Sequence, residues 1–503
     1  MKIHKKPIKP LFLLSLLTLG GTGCEKEFLA EENLSGITQE NYFTTAAQAQ
    51  AAVTGIYPML QTFNQEIEFR GDAVWSLLEM PVGHLLPGGS QYKEGSINHT
   101  NASNEPVYRI VWVGFYNGIA NANLAIKRIP GITMNESTRQ SLLGEAYFLR
   151  AFYYYHLVRL YGAIPLITEP IDFSSPGLYP GRTPVEQVYE SIVSDLTAAE
   201  NSGLPRVDRT GKASLGAAKS LLASVYLTMA GSPLNKGAAY YQLAAAKAKE
   251  VLDGGYYTLF DNYAYLHNRA HKNQGELIFQ VQYLAGVRTN RITEFISPKG
   301  ISKLTSDLGT VIPTDEFVRS YEPNDKRTQE KQFYFTRDFA KGSTTRMVEF
   351  GSYALYKFWL DEAAGPNGDL NSDQNWTLLR LPEVMLTYAE ASNEVNGPTQ
   401  NAYAPVNLIR NRAQLPPLSD LTKEAFREAI WRERYHELAF ENKAYFDIQR
   451  TRKVYNLQTG NLVDAFTYKN GSGATFNEQY MLWPIPQSEI DVNPKLAPQN
   501  PGW

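Results

Sequence analysis

The residues of this chain best placed to do chemistry lie near its C-terminal end. Glu433 and Glu437 stand one helical turn apart, a spacing that puts both carboxylates on one face. Such a pair can serve glycoside hydrolysis, one carboxyl as acid and the other as base or nucleophile. Arg427, Arg432 and Arg434 crowd around it. Neighbouring arginine lowers a carboxyl pKa, the wrong direction for a general acid, so a structural ion-pair network is the favoured reading. His436-Glu437-Leu438-Ala439-Phe440 begins like a zinc-protease helix, but Phe440 occupies the place of the second histidine. Asp369–Asn375 alternates oxygen ligands as a calcium loop does. Gln374 replaces its turn glycine, and Arg380 stands where the bidentate glutamate belongs. A solvated polar loop is favoured there, with a structural Ca2+ outside the EF-hand pattern as the alternative. Walker A, dinucleotide-fingerprint and G-x-S-x-G sequences are absent. With one Cys and seven His, a zinc ribbon, an iron–sulfur cluster and an intramolecular disulfide are excluded. We expect no enzymatic activity and no cofactor.

Binding chemistry has better candidates. A sugar offers apolar CH faces and a fringe of hydroxyls, so its site needs exposed aromatic platforms flanked by Asp, Asn, Arg or Gln. Glu66–Pro106 carries Arg70, Asp72, Trp75, His84, Tyr92, Asn98 and His99 in a polar setting. Tyr283–Phe295 carries Tyr283, Arg288, Asn290 and Arg291. Trp75 beside Asp72 is the leading pair, although VWSLL reads equally well as a buried helical turn. Trp359 and Trp376, flanking the 361–375 loop, rank second.

The elements that must position these residues are mostly helical. Apolar residues recur at helical spacing over Thr44–Leu60, Tyr108–Ile129, Glu136–Tyr161, Lys212–Ala230, Ala238–Leu252, Leu381–Asn396, Ala402–Ala413 and Thr422–Glu441. Thr183 as N-cap and Pro184 in the first turn open a further helix to Glu200. Small residues such as Ala217, Ala218 and Ala244–Ala248 let neighbouring helices approach closely. From about 256 to 376 the pattern gives way to loops with short β-type runs, including Leu277–Tyr283 and Gln332–Phe335. Helix pairs with small and aromatic residues at recurring places suggest a tetratricopeptide-like scaffold with insertions. The fold class is therefore all-α, a TPR-like helical superhelix with long loop-rich insertions and minor β-hairpins. TPR-like helices fill about 44–255 and 379–450, in a single domain over 41–503.

The 503 residues carry net charge −3, which supplies no basic field for nucleic acid. Lys2, Lys5, Lys6 and Lys9 precede the apolar run Leu11–Leu19, then Gly20–Gly23 and Cys24. Nine residues span about 14 Å, too short for a bilayer core of about 30 Å. Charged, apolar and small-residue zones in that order make a secretory signal over 1–23. A lone cysteine directly after the small residues resembles a bacterial lipobox, which implies cleavage before Cys24 and its lipidation. Cleavage carries the net charge from −3 to −7. Such a body does not bind anionic lipid by itself, so several acyl chains would hold it on the membrane. Residues 24–40 read as the tether.

Several stretches in order resemble one family. They are Tyr116–Asn123 (YNGIANAN), Gly144–Leu166, Arg182–Leu196, Gly211–Leu227, Leu379–Asn393 (LRLPEVMLTYAEASN), Asn407–Ala413, Ile430–Arg450 and Leu482–Asn493. Together they resemble the SusD/RagB family of outer-membrane nutrient-binding lipoproteins of Bacteroidota. The resemblance implies an all-α TPR-like superhelix with a loop-rich ligand face. It implies a surface-exposed, lipid-anchored protein that captures oligosaccharides, or peptides in the RagB-like alternative. It also implies a SusC-like TonB-dependent outer-membrane transporter as partner. The blocks that carry the resemblance read as scaffold rather than site. In them, Arg380 is expected to pair with Glu383, and Glu433 with Arg434. Glu145, Arg150 and Arg159 are expected to pair with other helices.

Overall fold

The computed structural model describes residues 43–65, 73–87, 91–172, 175, 177–298, 309–340, 343, 345–360 and 372–503. Cys24 and the tether lie outside the described residues. The first described helix, α1 (Ala46–Thr54), is capped by Thr45, whose side chain accepts from the Gln48 N–H. The expected helix to Leu60 stops here and continues as a 3-10 turn over Tyr57–Asn64. Pro58 explains the break, since it has no N–H to bond the Thr54 carbonyl. Two short helices, α2 (Val74–Glu79) and α3 (Gln91–Asn98), then lead to α4 (Pro106–Arg128).

Helix α5 (Glu136–Tyr161) has its sequence-predicted bounds, with Asn135 accepting from the N–H groups of Ser137 and Thr138. Its periodicity suggested one apolar face, yet it is buried almost all round. Tyrosine makes that tolerable, because a ring fills core volume while its hydroxyl finds a carbonyl. Tyr153 donates to the Ile56 carbonyl at 2.7 Å, Tyr154 to that of Ile167 at 2.8 Å and Tyr161 to that of Tyr108 at 2.6 Å.

Helices α6 (Val185–Glu200), α7 (Leu215–Ala230) and α8 (Ala238–Asp253) follow, each packed on its predecessor. Thr183 does not cap α6. Its N–H bonds the Ile164 carbonyl at 2.8 Å, and Pro184 takes the cap position. The chain then becomes loop-rich, with short helices α9 (Ile292–Ile296) and α10 (Asp315–Arg319). The helical layer resumes with α11 (Leu381–Asn396), α12 (Gln400–Arg412) and α13 (Lys423–Glu437), then α14 (Ala444–Thr451) and α15 (Gln487–Val492). Helix α13 ends four residues before the expected Glu441, because Phe440 and Asn442 adopt positive φ. Helix α11 packs on α8, α12 and α13, which joins the two helical stretches into one run of neighbours.

The strands form antiparallel pairs: β1 (Leu85–Pro87) with β3 (Val311–Pro313), β2 (Leu277–Val281) with β6 (Trp376–Arg380), β4 (Tyr334–Phe339) with β5 (Met347–Leu355), and β7 (Lys453–Tyr455) with β8 (Leu462–Asp464). The architecture is the expected helical one with minor hairpins. No described helix is long and apolar enough to cross a membrane.

Candidate ligand-binding face

The β2–β6 ladder links scaffold to loops. Leu277 pairs with Arg380 at one end and Val281 with Trp376 at the other. A buried charge network grips the first end. Arg380 donates to Glu437 at 2.6 Å and to Glu276 at 3.1 Å, and both its Glu441 contacts are 2.8 Å. Arg412 bonds Glu276 and Glu437, each at 2.5 Å. Arg327 reaches Glu433 at 2.6 Å and Glu437 at 3.1 Å, and Arg410 reaches Glu433 at 3.4 Å. These side chains come from loops and helix ends far apart in sequence, so each bond fixes one element against another.

The network corrects several expected pairings. Arg380 does not meet Glu383, which is held by Lys443 at 2.8 Å. Glu433 does not meet Arg434, which pairs with Asp447 at 3.1 Å. The guanidinium groups of Arg412, Arg380 and Arg327 outweigh burial and hold the Glu437 carboxyl down to about 2. Burial instead pushes Glu433 up, against the pull of Arg327 and Arg410. The two carboxylates are 0% and 3% exposed, so no substrate reaches them in this structure. His436 bonds the Ser320 hydroxyl at 2.9 Å, and burial drives its pKa well down.

The expectation for the tyrosine-rich helix fares better. Arg150 forms a two-pronged pair with Asp195 at 2.7 and 2.8 Å, and Tyr57 donates to Glu145 at 2.7 Å. Among the described residues Arg159 has no carboxylate partner, and its Nε donates to the Tyr155 carbonyl at 3.0 Å. It lies 3.7 Å from the ring centres of both Tyr155 and Phe446.

Loops leave the second end of the ladder. The Tyr283 N–H bonds the Asn375 side chain at 2.9 Å, and Asn290 and Ser372 exchange two backbone bonds of 2.8 Å. Between them, Leu284 and Arg288 close a tight turn around Gly286, whose φ of +75 favours glycine. The turn exposes Leu284 (59%) and Val287 (77%). Arg288 donates to the Gln61 side chain at 2.8 Å, which ties this turn to the 3-10 segment after α1. Arg291 is half-buried against Glu294 at 2.7 Å. The result is a rim of guanidinium and amide groups around a small aliphatic tip, mounted on a rigid ladder.

The predicted aromatic platforms are not on that rim. Trp75 is 0% exposed, with its ring centre 5.0 Å from Trp376 and 6.1 Å from Phe358. Helix α2 therefore follows the buried-turn reading. Trp359, Trp376 and Tyr283 are buried as well. His84 is enclosed with Glu79 at 2.5 Å, and His99 stacks on Tyr480 at 4.5 Å. Asn98 is exposed at the end of α3. Arg70, Asp72 and the side chain of Tyr92 lie outside the described residues. Of the calcium-like loop only residues 372–375 are described, and Asp373 is engaged by Arg269 at 2.5 Å and Lys272 at 3.4 Å. Among the described residues no group of three or more His, Cys, Asp or Glu is placed to hold a metal.

Sequence reasoning missed Gln61, Leu284 and Val287. The apolar Leu-Ala-Gly-Val run between Tyr283 and Arg288 was its available signal. Two cavities are also relevant. One near His99 and Trp503 holds about 30 Å³, too little for a sugar ring. A groove of about 520 Å³ lies between α8, α11 and α12, lined in part by Tyr257, Met385, Tyr388 and Leu408. That volume is within the range of small-ligand sites.

Comparison with known proteins places this architecture. The SusD family model matches residues 314–503. A second model, described as "Starch-binding associating with outer membrane", matches residues 28–227. The SusD-like protein P2 of Formosa agariphila is 29% identical over 99% of this chain and 100% of its own length. A solved structure of a laminarin binding SusD-like protein is 25% identical with TM-score 0.74, covering 92% of this chain and 100% of that one. A crystal structure of a SusD superfamily protein from Parabacteroides distasonis is 36% identical with TM-score 0.86, covering 93% of this chain and 100% of that one. With family models on both halves and an equivalent fold at that identity, the chain belongs to the SusD family.

Proposed function

We propose that this protein binds nutrient oligosaccharides at the outer membrane without hydrolysing them and passes them to a SusC-like TonB-dependent transporter. The observation that carries the reading is the full-length similarity to a laminarin-binding SusD-like protein. Lipidation of Cys24 anchors the chain, and the loops at the free end of the β2–β6 ladder receive ligand. Arg288, Arg291, Gln61 and Asn98 offer hydrogen bonds to hydroxyls, and Arg70, Asp72 and Tyr92 complete the site in this proposal. Binding of this kind is enthalpic, because hydroxyl contacts replace water contacts.

A second reading, peptide capture, has one observation in its favour. Among the described residues, the exposed large apolar side chains include a single aromatic, Tyr179, while Leu284 and Val287 stand beside guanidinium groups. The protein from residue 25 onward, screened against a glycan array and a peptide library with product analysis, separates the readings. Saturable glycan binding without product release supports the first. Peptide binding alone supports the second, and released sugar products would overturn both.

A further inference from the structure

A small cavity of about 20 Å³ lies where α5, α7, α11, α13 and α14 meet, on the seam between the two helical stretches. Space of that size holds one water or one monatomic ion. Besides Glu383 Oε2, which faces the Lys443 ammonium at 2.8 Å, two buried polar atoms on its wall have no hydrogen-bond partner among the described residues: Thr387 Oγ1 and Arg434 Nη1. Both residues are more than nine-tenths buried, at 1% and 5% exposure. A buried donor left unsatisfied is costly, so these atoms call for an acceptor.

Charge decides which acceptor. Arg159, Arg434, Lys443 and Arg450 all line the cavity. The carboxylates that face them are already engaged. Glu383 takes Lys443 at 2.8 Å, and Asp447 takes Arg434 at 3.1 Å and Arg450 at 2.8 Å. Glu390, behind the wall, takes the outer face of Arg450, with one bond of 2.8 Å. One positive charge is left over. It belongs to Arg159, which is held between two rings rather than by an acid. Arg159 is part-buried and its Nε donates to the Tyr155 carbonyl at 3.0 Å, so a neutral water would satisfy the orphan donors and leave its charge without a counter-ion at the cavity.

We propose that this cavity binds one small monovalent anion, a halide such as chloride, accepting from Arg434 and Thr387 and balancing Arg159. Bound there, the ion joins the N-terminal helices to the C-terminal ones.

The test measures melting temperature of the soluble protein in sodium chloride against sodium gluconate at fixed ionic strength. A ligand at ten times its dissociation constant raises the midpoint of a protein this size by about 1–2 °C. The proposal expects a saturable rise of that size, its loss in Arg159→Met, and an anomalous bromide peak in the cavity of bromide-soaked crystals. A wild-type protein indifferent to chloride, or a cavity holding only water in those crystals, overturns it. So does a chloride response that Arg159→Met leaves intact. The bromide experiment uses the wild-type chain and decides the matter even if the variant fails to fold.

Discussion

Replacing Glu437 by Gln tests the buried network most sharply. The substitution keeps the shape and removes the charge that Arg327, Arg380 and Arg412 share. Removing one partner from a buried ion pair costs about 3–5 kcal/mol. The lowered pKa of Glu437 leads to a similar figure by a separate route. A carboxyl held at about 2 rather than its ordinary 4.5 contributes folding stability. A shift of that size corresponds to about 3 kcal/mol, an order-of-magnitude value. With unfolding entropy of about 2.1 cal/mol/K per residue, such a loss lowers the melting temperature of a domain this long by about 3 °C. The sign with pH follows from the lowered pKa. The charge contributes fully above the ordinary carboxyl range and is lost as pH falls towards 2. The gap between wild type and E437Q should therefore be constant from neutral pH down to about 5 and close below it. Scanning calorimetry of both proteins across that range is the assay. A variant as stable as wild type at neutral pH, or a gap that persists undiminished in acid, refutes the reasoning.

Trp75→Ala should lower stability by about 3–5 kcal/mol through the cavity it leaves beside Trp376, with ligand affinity per folded molecule unchanged, as read by denaturation and titration together. Arg288→Ala combined with Arg291→Ala should weaken ligand binding at least tenfold, with a loss of stability set by the buried Glu294 that Arg291 no longer faces, so affinity is read per folded molecule. If that pair is silent and Tyr388→Ala abolishes binding, the groove between α8 and α12 is the site instead. Cys24→Ala should move the full-length protein out of the membrane fraction and end labelling by a palmitate analogue, and retention with unchanged labelling would contradict the lipid anchor.

Helices were legible wherever local signals agreed. Helix α5 ends at Tyr161 because Gly162 takes positive φ, and α11 spans Leu381–Asn396 as its pattern indicates before Gly397 does the same. Local reading failed where a contact from elsewhere overrode it, as when Ile164 captured Thr183 and left Pro184 as the cap. The charge network was foreseen in kind but not in partners. Arg327 and Glu433 are 106 residues apart, and no spacing rule reaches that far. Trp75 shows the limit for the site. A tryptophan in VWSLL has the same sequence signature in a core turn as on a ligand face, and only the position of Phe358 and Trp376 against it separates the two. The exposed tip at Leu284–Val287 escaped notice for the opposite reason, since aliphatic residues in a loop read as incidental.

Binding of oligosaccharide at the loop rim, with the sugar left intact, is the proposal on which the other expectations rest. Isothermal titration of the soluble protein with oligosaccharides of several linkages, laminarin fragments among them, tests it directly. The expected result is saturable, exothermic binding to at least one of them, recovered unchanged in length afterwards. No binding to any glycan, with heat evolved on adding peptides, would contradict it.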